Sequence, residues 1–276
     1  MTMTPPDHFE TLAIALADGI ARVQLNRPDK ANAMNLAMWH EIREAFTWID
    51  TAPAARVAIL SGAGKHFTSG IDLSLLSGIH ADIADSCDGR QREKLRRMIL
   101  DLQDTLTSLE RCRKPVLAEI RGACMGGGID LICACDMRYC SADASFSVKE
   151  VDVGMTADVG TLQRLPRLIG EGMARELAYT ARTFNGGEAQ AMGLVNRCYP
   201  SAEELHTGVG ELARCIADKS PLAVRGSKEM ISYTRDHSVA DGLNYIATWN
   251  AAMLLSDDLG EAMTAARAKR PAKFRD

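Results

Sequence analysis

The sequence predicts an α/β fold, and three observations predict it. Short apolar runs of strand length recur along the first two hundred residues, at Arg56–Leu60, Val116–Ile120 and Met137–Cys140, each beside turn or breaker residues. Between them lie longer stretches with apolar residues at helical spacing. After Thr161 helical patterns dominate, apart from a strand at Leu194–Tyr199. Strands that alternate with helices and then give way to helices define this class.

In chain order, Leu12–Asn26 reads as a hairpin, because two apolar-rich runs flank Asp18-Gly19, a strong turn pair. Asn35 is a helix cap for a segment running to about Asp50, with Met38, Ile42, Phe46 and Ile49 on one face. The buried strand Arg56–Leu60 closes on Ser61-Gly62-Ala63-Gly64. Ile71–Ile83 is ambiguous and partly helical. Gly89–Arg113 is a long helix with Leu95, Met98, Ile99, Leu102 and Leu106 as its apolar stripe, ended by Lys114-Pro115. Gly126-Gly127-Gly128 follows the strand at Val116–Ile120 and opens a short apolar helix, Ile129–Cys135.

The 276 residues are 46% hydrophobic and 25% charged, ordinary values for a globular chain with ample material for a core. The formal net charge of −4 argues against nucleic acid as a partner. No apolar run approaches the ~20 residues of a membrane span, so no membrane partner is expected. Met1–Glu10 is polar, without a secretory core or an arginine-rich leader, and the terminal Lys-Phe-Arg-Asp is not a peroxisomal signal. A cytoplasmic chain is the expectation. Its eight cysteines are then reduced thiols. Cys133, Cys135 and Cys140 lie close together, but their spacing is not that of a zinc site and no His lies near them, so buried thiols are favoured over a metal.

Three motifs are candidates for chemistry. Phe67-Thr68-Ser69-Gly70-Ile71-Asp72 lies just beyond one buried strand, and Gly122–Asp130, with its three successive glycines, directly follows another. Together two such loops are able to present two backbone N–H groups to one oxygen, an oxyanion hole. The alternative is that the glycines only permit tight strand–helix packing. A nucleotide site is disfavoured: Gly62-Ala63-Gly64-Lys65 is followed by His66 where a P-loop needs Ser or Thr, and Leu131 breaks a G-x-G-x-x-G pattern. In the third motif, Val148–Asp158, acids interrupt apolar neighbours. Buried, they require partners or raised pKa values; exposed, they are a solvated loop. Asp130 reads equally as a helix cap.

The two loops, with Gln163-Arg164-Leu165-Pro166 downstream, resemble the crotonase (enoyl-CoA hydratase/isomerase) superfamily from Asn26-Arg27-Pro28 to the C-terminal helices. Val148–Gly154 and Ala157–Pro166 are similar, nearly residue for residue, to the characteristic run of Δ3,5-Δ2,4-dienoyl-CoA isomerases. The resemblance implies a crotonase-like ββα spiral core over 1–200 and a C-terminal helical trimerisation region over 201–276. It implies oxyanion-hole amides from Ile71 and Gly127, and a substrate site along Ser69, Gly70, Ile71, Asp72 and Leu73, with Gly127 and Lys30 touching the substrate. Asp130, Glu150 and Asp158 are implied to be the catalytic acids, with Glu150 serving C2, Asp158 serving C6 and Asp130 orienting or tuning the pair. General hydratases have Glu where this chain has Asp130 and usually Gly where it has Asp158, which favours isomerisation over hydration.

The resemblance further implies an acyl-CoA thioester substrate in fatty-acid β-oxidation, no cofactor besides the CoA that the substrate carries, no metal, and a homotrimer or homohexamer. The basic run Arg267–Lys273 is a candidate to reach the CoA of a neighbouring subunit, and His66, beside the first motif, is read as structural. Rival functions are an enoyl-CoA hydratase or another enoyl-CoA isomerase on the same scaffold and, more distantly, a non-enzymatic RNA-binding homologue, against which the acidic balance counts.

Overall fold

The structure, a computed structural model, describes Pro6 and residues 8–276; the polar opening read above falls partly outside the described residues, at 1–5 and Asp7. Strands β1 (Leu12–Ala17) and β2 (Ile20–Leu25) form the expected hairpin. Its turn residues Asp18 and Gly19 have φ of 51° and 78°, the left-handed pair that matches strand twist in two-residue hairpins. Helix α1 (Leu36–Thr51) starts where the Asn35 side chain accepts the Met38 amide at 3.0 Å, a cap that stabilises by ~1 kcal/mol. Met38, Ile42, Phe46 and Ile49 are all buried beneath it.

The middle of the chain winds through β3 (Val57–Gly62), α2 (Leu73–Asp82), α3 (Asp88–Arg111), β4 (Val116–Ile120), β5 (Ala123–Met125), α4 (Gly127–Cys133), β6 (Met137–Ser141) and β7 (Ser145–Ser147). Then come α5 (Thr161–Ile169), α6 (Glu171–Thr180), β8 (Phe184–Asn185), α7 (Gly186–Ala191) and β9 (Arg197–Tyr199). The chain ends in α8 (Ala202–Ala217), α9 (Pro221–Thr234), α10 (Val239–Met253) and α11 (Asp257–Ala268).

Two sheets result. The larger has the order β1-β2-β3-β4-β6-β9 and is parallel after its first hairpin; the smaller is β5-β7-β8. Isolated bridges Thr68–Cys124 and Met34–Ile71 extend the second layer. Each turn of the chain therefore lays one strand in the large sheet and a shorter one in the second layer before it reaches a helix. β3 leads to the Phe67–Ile71 run and α2, β4 to β5 and α4, and β6 to β7 and a 3-10 turn at Glu150–Val153. This is the ββα spiral that the family resemblance implied.

Burial on both faces explains the near-continuous apolar character of the parallel strands. In β3, Ala58 and Leu60 join the main core with α1 and the end of α3, while Val57 and Ile59 face a second cluster with Leu205, Val209 and Ala213 of α8. The first helix after the last strand thus covers the outer face of the large sheet.

The structure departs from expectation in four places. β5, β7 and β8 were not predicted, since strands of two or three residues carry no periodicity and depend on distant partners. The strand at Leu194–Tyr199 shortens to β9, because the Leu194 and Val195 amides turn back to the Ala189 carbonyl at the end of α7. The ambiguous Ile71–Ile83 segment resolves into α2, capped by Asp72, whose side chain accepts the Ser74 amide. The α3 stripe divides: Leu102 and Leu106 are buried, but Leu95, Met98 and Ile99 are half-buried and line a cavity.

Candidate active site

The two glycine-bearing loops meet in the second layer. The Thr68 amide bonds the Ala123 carbonyl at 2.9 Å, and the Met125 amide bonds the Thr68 carbonyl at 3.1 Å. Gly70 has a φ of 96°, and a Cβ there would lie 2.7 Å from the Met125 carbonyl oxygen. Only glycine allows both the conformation and the approach. Gly127 is equally confined: a Cβ would lie 2.8 Å from Met34 Cε and 3.7 Å from the Ile71 nitrogen. The packing reading of these glycines is therefore realised, and it leaves the oxyanion reading open.

Alternating hydrogen bonds leave the key amides unspent. The Met34 amide bonds the Gly70 carbonyl at 2.8 Å and the Asp72 amide bonds the Met34 carbonyl at 3.0 Å, so the Ile71 N–H between them points to the other side. Gly127 is the first residue of α4, where an N–H has no partner within the helix. Among the described residues neither amide has an acceptor. Two adjacent donors without acceptors are able, in principle, to bind one oxygen atom.

Asn32 and Arg27 brace this loop. Asn32, buried with a φ of 55°, donates from Nδ2 to the Ala63 and His66 carbonyls at 2.9 and 2.8 Å. Arg27 donates to the Ala33 carbonyl at 2.5 Å and to Asp72 Oδ2 at 2.9 Å. With the Ser74 hydroxyl and Arg27 on it, the Asp72 carboxyl is held down at about 2. Asp72 lines the site as expected, but its carboxylate is committed to anchoring the loop and the start of α2. Sequence reasoning missed the Asn32 and Arg27 roles, since their partners lie up to 45 residues away.

The three acids line one cavity of about 900 Å³, together with Lys30, Ser69, Gly70, Ile71, Asp72, Leu73 and Gly127. Every residue singled out for the site therefore reaches the same space. The Val148–Asp158 run is mixed: Val151–Gly154 and Thr156 are exposed, but Glu150 and Asp158 are both partly buried. Asp130 is fully buried in α4, with Oδ1 accepting the Thr161 amide at 2.5 Å and Oδ2 lacking a partner. Burial pushes its carboxyl up to about 6, against the Thr161 hydrogen bond and with help from the Asp158 charge. Burial likewise raises Glu150 to about 7, aided by repulsion from Asp130, and its Oε2 has no partner. Glu150 Oε1 lies 3.3 Å from where a Gly126 Cβ would stand, one residue before the Gly127 amide. Burial also raises Asp158 above its ordinary value. Asp130 and Glu150, at about 6 and about 7, therefore hold or release protons near neutral pH, unlike ordinary carboxyls.

The remaining wall is apolar. Leu75, Leu76 and Ile79 of α2 face Leu95, Met98 and Ile99 of α3 across it. α2 has no fully buried residue; Leu75 packs against the main core, and Leu76 and Ile79 are half-buried. Lys30 and Leu73 stand exposed on the rim.

Other residues singled out from the sequence do not line this cavity. His66 Nδ1 accepts the Ala123 amide at 3.0 Å, a structural bond that ties the two loops. The basic tail folds back on its own chain: Arg270 pairs with Glu261 at 2.6 Å, and Arg56 donates to the Phe274 carbonyl at 3.0 Å. Cys133, Cys135 and Cys140 are buried free thiols. Among the described residues no three His, Cys, Asp or Glu are grouped to hold a metal ion, and no helix is long and apolar enough to cross a membrane.

The two-layer spiral is the fold of a family of acyl-CoA enzymes: the chain belongs to the enoyl-CoA hydratase/isomerase family, which it matches over residues 16–276. It is 50% identical over 275 residues to the peroxisomal Δ3,5-Δ2,4-dienoyl-CoA isomerase of Arabidopsis thaliana, covering 99% of each chain. It is 48% identical over 264 residues to the mitochondrial Δ3,5-Δ2,4-dienoyl-CoA isomerase of Homo sapiens, covering 94% of this chain and 80% of the human one. The crystal structure of an enoyl-CoA hydratase from Bacillus anthracis superposes with a TM-score of 0.87 at 32% identity, over 96% of this chain and 99% of the other.

Proposed function

We infer that the chain isomerises 3,5-dienoyl-CoA to 2,4-dienoyl-CoA, a step in fatty-acid oxidation. The observation that carries this reading is the cavity with three acids, in which Asp158 joins the Asp130–Glu150 pair and all three carboxyls are raised. Near-full-length identity to two isomerases of that name supports it.

The thioester oxygen binds the Ile71 and Gly127 amides. Glu150, beside Gly126, takes a proton from C2. The electron pair delocalises from C2 over the diene to C6 and onto the thioester oxygen, where the two amides stabilise it. Asp158 delivers a proton to C6, leaving double bonds at C2 and C4. Exchange with solvent then resets both carboxyls. Asp130 anchors the Asp158 loop through Thr161 and raises Glu150 by its charge. No separate cofactor is proposed, since CoA arrives with the substrate, and Lys30 on the rim is assigned to it.

A homotrimer or homohexamer belongs to the same reading. It is supported by exposed apolar side chains on the C-terminal helices, among them Ile231, Leu243 and Met263. A cytoplasmic location is likewise proposed, and the free thiols fit a reducing compartment.

The test is ultraviolet absorbance of the conjugated product with 3,5-dienoyl-CoA, beside hydration of 2-enoyl-CoA. Dienoyl turnover that drops at least ~10²-fold in Asp158→Asn supports the assignment. Hydration without dienoyl turnover would make the chain a hydratase. Salt-sensitive RNA binding without any acyl-CoA turnover would make it a binding protein.

A further inference from the structure

Asp158 lies in an irregular stretch between the 3-10 turn and α5, and no side chain of another described residue is hydrogen-bonded to its carboxylate. Its position therefore depends on what holds its backbone. Gln103, half-buried on α3, donates from Nε2 to the Asp158 carbonyl at 2.6 Å. One residue on, Arg164 donates to the Val159 carbonyl at 3.4 Å. The Arg164 guanidinium packs directly against Gly160, where φ is 136° and a Cβ would collide with it. Arg164 is itself fixed to α3 by Glu110 at 2.7 Å.

We propose that Gln103 and Arg164 are positioning residues that hold the Asp158 loop against α3, so that its carboxyl meets the distal carbon of the acyl chain; this rests on the C6 role given to Asp158 above. The bonds have no other evident task. Gln103 sits one residue after Leu102, at the junction where α3 stops lining the cavity and enters the core. A donor there ties the Asp158 loop to the part of α3 whose neighbours Leu102 and Leu106 are buried in the core. Proton transfer is sensitive to placement, and a shift near 1 Å is able to lower a rate by ~10²-fold. Because Gln103 touches the loop and not the oxyanion site, its loss should affect protonation at C6 and spare deprotonation at C2.

The experiment follows both half-reactions of the full chain in D2O with 3,5-dienoyl-CoA. Conjugated product is read by absorbance, and deuterium at C2 of recovered substrate by mass spectrometry. Gln103→Met keeps the side-chain length and removes the donor. We expect product formation about tenfold slower with KM little changed, while C2 exchange stays within about twofold of the parent. Asp158→Asn is run beside it and should show the same split more strongly. Parent-like product formation in Gln103→Met overturns the positioning role. So does a parallel fall of product formation and C2 exchange, which marks general damage to the site. If Asp158→Asn itself turns over normally, the C6 assignment falls and the positioning role falls with it. Loss in Asp158→Asn alone removes only the positioning role.

Discussion

Asp130 caps a helix to which it does not belong: Oδ1 accepts the Thr161 amide at 2.5 Å, 31 residues along the chain. The N-cap position of α5 is Gly160, which has no side chain to do this. One buried carboxyl thus closes a helix end, holds the loop that carries Asp158 and charges the pocket of Glu150.

That arrangement opposes folding stability at neutral pH. The Asp130 carboxyl rises from 3.8 to about 6 on folding. A raised acid contributes its stability below the unfolded value and loses it as pH climbs through the folded one. Asp130→Asn keeps an acceptor for Thr161 without the charge. We expect the variant to be more stable than the parent at pH 8, by up to about 3 kcal/mol, with the gap closing toward pH 4. Thermal denaturation at both pH values measures this, and a variant less stable at pH 8 would contradict it.

The same substitution tests the coupling to Glu150. A base must be ionised, so kcat/KM should rise with pH along a limb near 7, the value to which Glu150 is pushed. Removing the Asp130 charge eases ionisation of Glu150, and the limb should move to lower pH in Asp130→Asn. Strongly interacting acids titrate as a set, so the shift is read on the whole profile. A limb that stays in place separates the two residues.

Gly70→Ala probes the oxyanion amides without touching an acid. A methyl group there would press on the Met125 carbonyl at 2.7 Å, in a backbone with φ of 96°. The loops must separate, and Ile71 and Gly127 lose their common focus. Turnover should fall about 10²- to 10³-fold, the scale of one lost oxyanion donor. Circular dichroism checks that the fold survives; parent-like kcat would mean that the amides do not act as a pair.

Ile99→Trp addresses the apolar wall. Ile99 lines the cavity opposite α2, so an indole there shortens the space for the acyl tail. kcat/KM for a long-chain dienoyl-CoA should fall relative to a short-chain one by at least about tenfold. An unchanged ratio would show that the tail runs elsewhere.

Much of this was legible in the chain. The Asp18-Gly19 hairpin, the Asn35 cap and the apolar strand runs rest on residues that are near neighbours in sequence, and they occur where expected. The two loops and the acid-bearing run were singled out from the residues and given their roles by family resemblance, and residues of both loops line one cavity with the three acids. What the residues alone left open was whether the acids are solvated, because an isolated carboxyl reads the same on a loop and in a pocket.

The sequence by itself determined the longer local elements and the inventory of groups: which apolar runs are the strands of the large sheet, where the capped helix α1 begins, and which glycines and acids are available. Only the tertiary structure decided how they combine. It brought Ile71 beside Gly127, turned Asp130 toward Thr161, committed Asp72 to Arg27, and divided one apolar stripe on α3 between core and cavity. The physical reason is common to all four. Periodicity reports that a face is shielded from water, and a motif reports that a group is present. Neither names the partner, which in each case comes from a different turn of the spiral.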